Sequence, residues 1–337
     1  MSGYIAWPFA ALLLGFAGAR FMVRFGRVFG MIDIPNDRSS HATPIQSGGG
    51  IGISAALVLS AINLNLPFYL WVPATFLSFV SFIDDRINLS LRSRIIVQLS
   101  AALAVILLTI PYHTIIPIFG PNLFQPANFY YFLILIPLCA FIAGTANFFN
   151  FMDGINGNAG IAGTASFGLI ALYAHLQEAN PSITLFSACI AMACLGFLPM
   201  NFPKARVFMG DGGSVLLGFV FATLVLTFAR SIEDFLVLCG FQFTFYADTL
   251  TTLFVRWRDG EQLTQGHRRH LYQLFANQMR IPHWQVSLAY GLLQIAIGCL
   301  LILLRPRGLV PILSCELILF SVWYWSGKYF RSIVERG

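Results

Sequence analysis

Residues 213–229 read GSVLLGFVFATLVLTFA, a run that contains no charged side chain. A helix needs about 20 mainly apolar residues to cross the roughly 30 Å hydrocarbon core of a bilayer. Unbroken apolar runs of similar length recur along most of the chain. The strands of a membrane barrel would instead alternate in segments of about ten residues, so these runs predict membrane-spanning helices.

The composition of the chain indicates the same class. Of its 337 residues, 57% are hydrophobic and 10% are charged, whereas a soluble domain carries about 25% charged residues. This is too little charge to cover a water-exposed surface, and the composition also excludes disorder, collagen and a coiled coil. All six cysteines lie inside apolar runs, where we expect them to behave as small hydrophobic residues.

The apolar runs predict eleven spans and an all-α, polytopic integral membrane protein. The spans lie near residues 4–23, 49–66, 68–83, 95–112, 129–147, 158–176, 183–200, 213–229, 235–254, 284–304 and 309–327. No soluble domain interrupts them. We therefore expect residues 1–337 to form a single membrane-embedded domain, with its chemistry on the cytoplasmic loops.

Lysine and arginine positions predict the orientation, because cytoplasmic loops are enriched in these residues. With eleven spans, 17 of the 20 Lys and Arg residues lie on one side, and the other side holds only Arg230, Arg305 and Arg307. The first side is expected to be cytoplasmic, which places the N-terminus in the periplasm and the C-terminus in the cytoplasm. The net charge of +6 is thus a topology signal, and no nucleic-acid partner is expected.

A pair of carboxylates closes the third predicted span. Asp84 and Asp85 follow an apolar stretch and precede Arg92 and Arg94. Paired acids can bind Mg²⁺ or accept a proton from a substrate. The alternative, and the more favoured one for this motif taken alone, is a solvated helix end that the two arginines neutralise.

A second polar motif follows the fifth span. Asn147, Asn150, Asp153 and Asn156 recur at intervals of three, which on a helix brings them to one face. Amide and carboxylate oxygens are ligands that Mg²⁺ prefers, and two glycines in the same stretch would break the helix and let backbone approach a ligand. The alternative is a polar turn between two spans.

The third motif opens the eighth span. Residues 207–214 read VFMGDGGS, a glycine-rich turn before a helix, and free N–H groups at a helix N-terminus attract phosphate. Asp211 in that turn would bind a metal, so the pattern predicts a metal–diphosphate site. The alternative is that Asp211 caps the helix.

The fourth motif is His267-Arg268-Arg269-His270, within the last long cytoplasmic loop. Arginine and histidine suit phosphate oxygens or sugar hydroxyls. A zinc site at the two histidines and a basic patch that faces anionic lipid are the alternatives.

Weaker features accompany these motifs. His41 precedes a glycine-rich stretch, 48–52, whose small residues would allow close packing as the second span begins. Asp248 and Glu316 lie within apolar runs, and such acids are more often paired structural groups than catalytic ones.

These motifs, in this order from about Asp33 to Gln273, resemble the polyprenyl-phosphate N-acetylhexosamine-1-phosphate transferase family. That family includes the translocase that starts peptidoglycan lipid synthesis and the enzymes that start O-antigen and teichoic-acid chains. The His267–Gln273 stretch looks most similar to the O-antigen branch. The resemblance implies transfer of a sugar-1-phosphate from a UDP-activated amino sugar to undecaprenyl phosphate, with release of UMP, in the bacterial inner membrane.

The resemblance also implies roles for individual residues. Asp211 and Asn150 would hold Mg²⁺, or Mn²⁺ in its place, against the diphosphate, while Phe208 stacks on uracil and Asn156 contacts it. Asp84 and Asp85 would handle the lipid phosphate, one of them as its base, and Arg94 would bind phosphate. The remaining assignments are Asp153 to catalysis, and Asn147, His267, Arg269 and His270 to substrate binding. Membrane lipid is an expected partner, and the chain is compatible with a homodimer.

Two other functions remain as alternatives. A transporter or flippase for a lipid-linked sugar could use the same polar groups, although it should place charges near the midplane and show internal repeats. A hydrolase of a lipid diphosphate would need no lipid acceptor. Dependence on that acceptor therefore distinguishes a transferase from a hydrolase.

Overall fold

The computed structural model describes residues 2–35, 39–87, 89–109 and 129–336, and almost all of them are helical. The first four helices are α1 (Ser2–Phe25), α2 (Ile51–Asn63), α3 (Phe68–Ile87) and α4 (Leu91–Thr109). The next five are α5 (Phe129–Phe151), α6 (Asn158–Leu176), α7 (Pro181–Asn201), α8 (Asp211–Phe228) and α9 (Ile232–Gly240). The last four are α10 (Phe243–Arg258), α11 (Leu271–Gln273, continued by a π-helix over Leu274–Gln278), α12 (His283–Leu304) and α13 (Leu309–Arg336).

Eight helices in the described part of the chain are long and apolar enough to cross a membrane, which confirms a polytopic helical protein. They correspond to eight of the eleven predicted spans. Of the other three, the second span is the 13-residue α2, and the third is the 20-residue α3, whose last turns carry charged residues. The total of eleven and the orientation of the termini stay predictions, and residues 110–112 of the fourth predicted span lie outside the described residues.

The ninth predicted span, 235–254, is not a single helix. The chain leaves α9 at Gly240 and starts α10 at Phe243. The hydroxyl of Ser166, on α6, lies 3.1 Å from the Phe241 carbonyl oxygen and 3.3 Å from Oε1 of Gln242. A neighbouring helix thus hydrogen-bonds backbone that the break exposes, which is the condition for non-helical backbone at membrane depth.

Helix α8 forms the centre of the bundle. All its residues from Gly212 to Leu226 are buried, with α3 and α5 packed against it. Elsewhere α1 lies against α7 at a pair of glycines, because a Cβ atom on Gly15 would collide with the Ala193 carbonyl and one on Gly196 with the Leu12 carbonyl. Small residues therefore allow close approach of these two spans.

A small hairpin leads the chain to the start of α8. Strands β1 (Ile32–Asp33) and β2 (Ile45–Gln46) pair antiparallel, and Gln46 also bridges to Val207 in parallel. Gly50, just before α2, lies against the backbone of Gly213. The close packing predicted for this glycine-rich stretch is confirmed, and it holds the loop between α1 and α2 beside the third motif.

Candidate active site

The first residue of α8 lies at the centre of the polar motifs. Gly210 precedes it with φ +77°, a conformation that favours glycine, and a Cβ there would lie 2.5 Å from Oδ2 of Asp85. The N–H of Asp211 faces the Asp85 carboxylate, with distances of 3.2 and 3.1 Å to its two oxygens. Asp85 thus caps α8 from another helix.

The Asp211 side chain extends into a polar cluster. Its Oδ1 accepts a hydrogen bond from Nδ2 of Asn150 at 2.8 Å, and the same amide lies 2.9 Å from the Ser214 hydroxyl. Its Oδ2 is 3.8 Å from Nη1 of Arg94, and 33% of the Asp211 side chain is exposed. The second and third motifs therefore meet, and the Asp211 carboxylate stays accessible.

Asp84, also at the end of α3, has different partners from Asp85. It is buried, accepts from the Leu89 N–H at 2.6 Å, and its Oδ2 lies 2.6 Å from Nε of Arg94. The ion pair between Asp84 and Arg94 was part of the plainer explanation of this motif. Arg94, however, also approaches Asp211, so the pair connects the first motif to the third.

The four polar residues of the second motif do not share one helix face. Helix α5 ends at Phe151, so only Asn147 and Asn150 are helical. Asn147 is hydrogen-bonded to Gln98 of α4 at 2.6 Å and to the Ala143 carbonyl at 2.7 Å, which joins α4 to α5. The expectation of one helical face is wrong because the chain turns before Asp153.

Asp153 and Asn156 lie in the turn and separate from each other. Burial raises the pKa of Asp153 well above its usual range, and the nearby Asp211 and Asp85 carboxylates add to this rise. Asn156 lies against the beginning of α12, where its carbonyl accepts from the Ser287 hydroxyl at 2.8 Å. Asp153 thus joins the acidic cluster, while Asn156 borders a different surface.

Phe208 belongs to an extended segment beside the loop between α1 and α2. Its N–H donates to the Gln46 carbonyl at 2.8 Å, and its carbonyl accepts from the Gly49 N–H at 2.9 Å. The half-buried ring lies edge-on to His41, with centroids 4.9 Å apart, and His41 is 3.9 Å from Asp33. Phe208 also lines a polar cavity together with His41 and Asp33.

The histidine motif divides between a buried and an exposed part. The His267 and His270 rings are 4.7 Å apart. Burial lowers the pKa of His267 to about 4, with contributions from His270 and Arg256. Arg269 instead pairs with Asp259 at 2.8 Å and with Glu261, so its guanidinium organises the loop that follows α10.

Asp248 is the buried acid beneath this loop. It accepts from the N–H groups of Leu271 and Tyr272, at 2.8 and 3.1 Å, and from the Tyr290 hydroxyl at 2.8 Å. The prediction that Asp248 is a paired structural acid is confirmed. The sequence showed no signal for Tyr290 or for Gln98, because each is a single polar residue in an apolar run and its partner comes from another helix.

Two cavities meet at these residues. The polar cavity has a volume of about 560 Å³ and is lined by Asp33, His41, Asp85, Asp153 and Phe208, among others. The inner cavity has a volume of about 530 Å³, with mainly apolar walls such as Leu77, Val80 and Ile95 and with His267 and His270 on one side. Residues that line both are Asp84, Arg94, Asn150, Asp211 and Gln273. The lining residues in the described part of the chain include neither Asn156 nor Arg269.

The residues at the junction fit a metal site in which substrate phosphates supply some of the ligands. No cluster of three or more His, Cys, Asp or Glu residues that could hold a metal occurs in the described ranges. Mg²⁺, however, is commonly held by one or two carboxylates together with substrate phosphates. Asp211 provides an accessible carboxylate, and Asn150, whose Nδ2 is bound to it, has its Oδ1 as the atom for a metal.

Comparison with known proteins shows which sequences this chain resembles. Residues 67–229, which carry the first three motifs, match glycosyl transferase family 4. The chain is 26% identical over 296 residues to the decaprenyl-phosphate N-acetylglucosaminephosphotransferase of Mycobacterium tuberculosis (strain ATCC 25618 / H37Rv), covering 78% of this chain and 73% of that protein.

The names of two further relatives describe transferases of similar groups. The undecaprenyl-phosphate alpha-N-acetylglucosaminyl 1-phosphate transferase of Salmonella typhimurium is 31% identical over 209 residues, or 58% of this chain and 55% of that protein. The phospho-N-acetylmuramoyl-pentapeptide-transferase of Staphylococcus saprophyticus is 33% identical over 139 residues, or 39% and 42%. The resemblance inferred from the motifs is confirmed.

Proposed function

Because this chain is related to glycosyl transferase family 4, we propose that it transfers N-acetylhexosamine-1-phosphate from a UDP-sugar to undecaprenyl phosphate and releases UMP. The observation that carries the proposal is the meeting of a polar and a largely apolar cavity at Asp84, Arg94, Asn150 and Asp211. A nucleotide sugar suits the first cavity and a lipid phosphate suits the second. The two substrates would meet at the junction, with the donor sugar next to the lipid phosphate.

The residues at the junction suit phosphoryl transfer, which depends on in-line placement and on neutralising phosphate charge. Arg94 supplies a cation 3.8 Å from Asp211, and the N-terminus of α8 adds its dipole. We propose that Arg94 binds the phosphate that is transferred. Its ion pair with Asp84 would hold the guanidinium in place for both substrates.

Asp211, with Oδ1 of Asn150, would hold the Mg²⁺ of this reaction, and Mn²⁺ has the same ligand preference. When bound, such an ion neutralises diphosphate charge and orients the leaving group. Ser214 and Asn150 keep the Asp211 carboxylate in one orientation through the contacts described above. The protein's own contribution is therefore a carboxylate aimed at the junction before substrate arrives.

The proton acceptor for the lipid phosphate is proposed among the acids. Asp84 and Asp85 already accept hydrogen bonds from the Leu89 and Asp211 N–H groups, so acting as a base would weaken one of these contacts. Asp153 lines the polar cavity, and its raised pKa places it as a third carboxyl that can hold a proton. We propose that Asp84, Asp85 and Asp153 together form the catalytic group.

Recognition of the donor is proposed for the walls of the polar cavity and the histidine loop. Phe208 would stack on the uracil ring, and Asn147 would act through the Gln98 contact that places α4. His267 and His270 line the inner cavity next to the junction, where a sugar bound to the diphosphate would reach. For Asn156 and Arg269 to touch substrate, the turn after α5 and the loop before α11 would have to move.

The cellular role follows from the same reasoning. We propose that the protein lies in the bacterial inner membrane and starts lipid-linked O-antigen or another envelope polysaccharide. The names of its relatives, which include an undecaprenyl-phosphate alpha-N-acetylglucosaminyl 1-phosphate transferase, support an N-acetylated donor. N-acetylglucosamine and N-acetylfucosamine types are the leading candidates.

The test is a reconstitution assay. Purified protein is incubated with undecaprenyl phosphate, Mg²⁺ and a panel of UDP-sugars, while UMP and the lipid-linked product are measured. A transferase forms both in equal amounts and forms neither without the lipid. UMP release without the lipid would indicate a hydrolase, and an absence of UMP with every donor would contradict the proposal.

A further inference from the structure

The buried carboxylate of Asp248 organises the entry to α11 from below. Its side chain is fully buried, and its oxygens accept from the N–H groups of Leu271 and Tyr272 and from the hydroxyls of Tyr290 and Thr252. An ionised carboxylate is an acceptor only and can take several such donors. Asp248 therefore offers acceptors, and no donor, to any group beside it.

The next group beside it is the ring of His270. Nδ1 of His270 lies 3.4 Å from Oδ1 of Asp248, and the ring is stacked on Tyr272 with an interplanar angle of 23°. The residue is 3% exposed, so the ring has little freedom to rotate. The partner of one ring nitrogen decides which nitrogen carries the proton.

His270 also borders the proposed reaction site. His270 lines the inner cavity together with Arg94, Asn150 and Asp211, whereas Asp248 lies behind it. The Asp248 carboxylate can accept from Nδ1 only when Nδ1 carries a proton. In the neutral ring, Nε2 then carries the lone pair.

We infer that Asp248 is a positioning residue that holds His270 as the Nδ1–H tautomer, so that Nε2 accepts a hydrogen bond from a hydroxyl of a bound substrate. The inference rests on the transferase function proposed above and deepens it. The proposed reaction offers two hydroxyls to the inner cavity: one on the donor sugar and one on a protonated lipid phosphate.

The first test is a double-mutant cycle. We expect Asp248→Asn to lower kcat/KM by about 10- to 100-fold, the usual effect of losing the group that orients a functional histidine. His270→Gln cannot use the Asp248 contact in the same way, so Asp248→Asn should cost little more in that background. Tyr290→Phe is the matched control, since it removes a different donor from the same carboxylate and should cost less than Asp248→Asn.

The steady-state constants identify the hydroxyl. A rise in KM for the UDP-sugar alone assigns the bond to the sugar, and a rise in KM for undecaprenyl phosphate alone assigns it to the lipid phosphate. Full additivity of Asp248→Asn and His270→Gln would overturn the inference. So would a loss in Tyr290→Phe as large as that in Asp248→Asn, because the carboxylate would then act only on the fold of the loop.

A second measurement needs no activity. Solid-state NMR of ¹⁵N-histidine-labelled protein reports the tautomer, with the His270 signals identified by their loss in His270→Gln. We expect the Nδ1–H tautomer in the wild type and a change of tautomer in Asp248→Asn. An unchanged tautomer would contradict the inference even if the wild type proved inactive as a transferase, so failure of the two proposals can be told apart.

Discussion

The substitution Asp211→Asn removes one charge from the junction of the two cavities while keeping the size of the side chain. The hydrogen bond from the backbone N–H of residue 211 to the Asp85 carboxylate is unaffected. The remaining carbonyl oxygen can still accept from Asn150, as Oδ1 does in the wild type at 2.8 Å. We therefore expect the variant to fold and to be recovered from the membrane in normal amounts.

The expected loss of activity is large. A carboxylate that holds a metal against a diphosphate contributes several kcal/mol of charge stabilisation in the transition state, and about 4 kcal/mol corresponds to a thousandfold loss of rate. Asp211 is suited to this role because its side chain is 33% exposed, and the guanidinium of Arg94 is 3.8 Å away. An uncharged side chain at this position can no longer neutralise the metal.

The measurement is UMP release at saturating Mg²⁺ with undecaprenyl phosphate and the preferred UDP-sugar. Ser214→Ala is the matched control, because it removes the second acceptor of Asn150 without changing a charge. The loss of one hydrogen bond, about 1 kcal/mol, should lower the rate less than tenfold. Turnover of Asp211→Asn within tenfold of the wild type, at saturating metal, would refute Asp211 as the metal's carboxylate.

Three further predictions concern the cap, the acid range and the topology. Asp85→Ala should lower the unfolding temperature more than Asp85→Asn, because only the amide retains an acceptor for the Asp211 N–H and a lost helix cap costs about 0.5–2 kcal/mol. Equal unfolding temperatures would argue against the cap. Since His267 binds a proton near pH 4 when folded but near pH 6.5 when unfolded, the native state should lose stability as the pH falls between these values. His267→Gln should reduce that slope in thermal unfolding measured from pH 7 to pH 4. A reporter enzyme fused after Gly337 should be active in the cytoplasm, and periplasmic activity would contradict the orientation predicted from Lys and Arg.

Long apolar runs predicted helices well because the requirement is local. A run such as residues 213–229 must satisfy its backbone within one segment in a membrane, and it forms most of α8. The boundary of α5 was harder to predict. A spacing of three suggested one helix face from Asn147 to Asn156, but the helix ends at Phe151, and the turn separates Asp153 from Asn156.

The candidate site divides in the same way. Residue types in short motifs indicated Asp84, Asn150, Asp211 and His270, and the structure brings these four to the wall of one cavity. Arg269 and Arg94 are equivalent by residue type. Arg94 lies near Asp211, whereas the guanidinium of Arg269 pairs with Asp259 and Glu261. Which basic residue reaches the junction depends on neighbours that the motif does not contain.

A helical membrane protein with acids, amides and basic residues concentrated in a few loops could be predicted from residue order, because hydropathy and residue chemistry are local properties. The contacts between those residues could be learned only from the packed helices. Asp85 became the cap of α8, Asp248 became the support of His270, and two cavities came to share Arg94 and Asp211. Each of these outcomes joins segments that are far apart in the chain, and their contacts depend on how the helices pack.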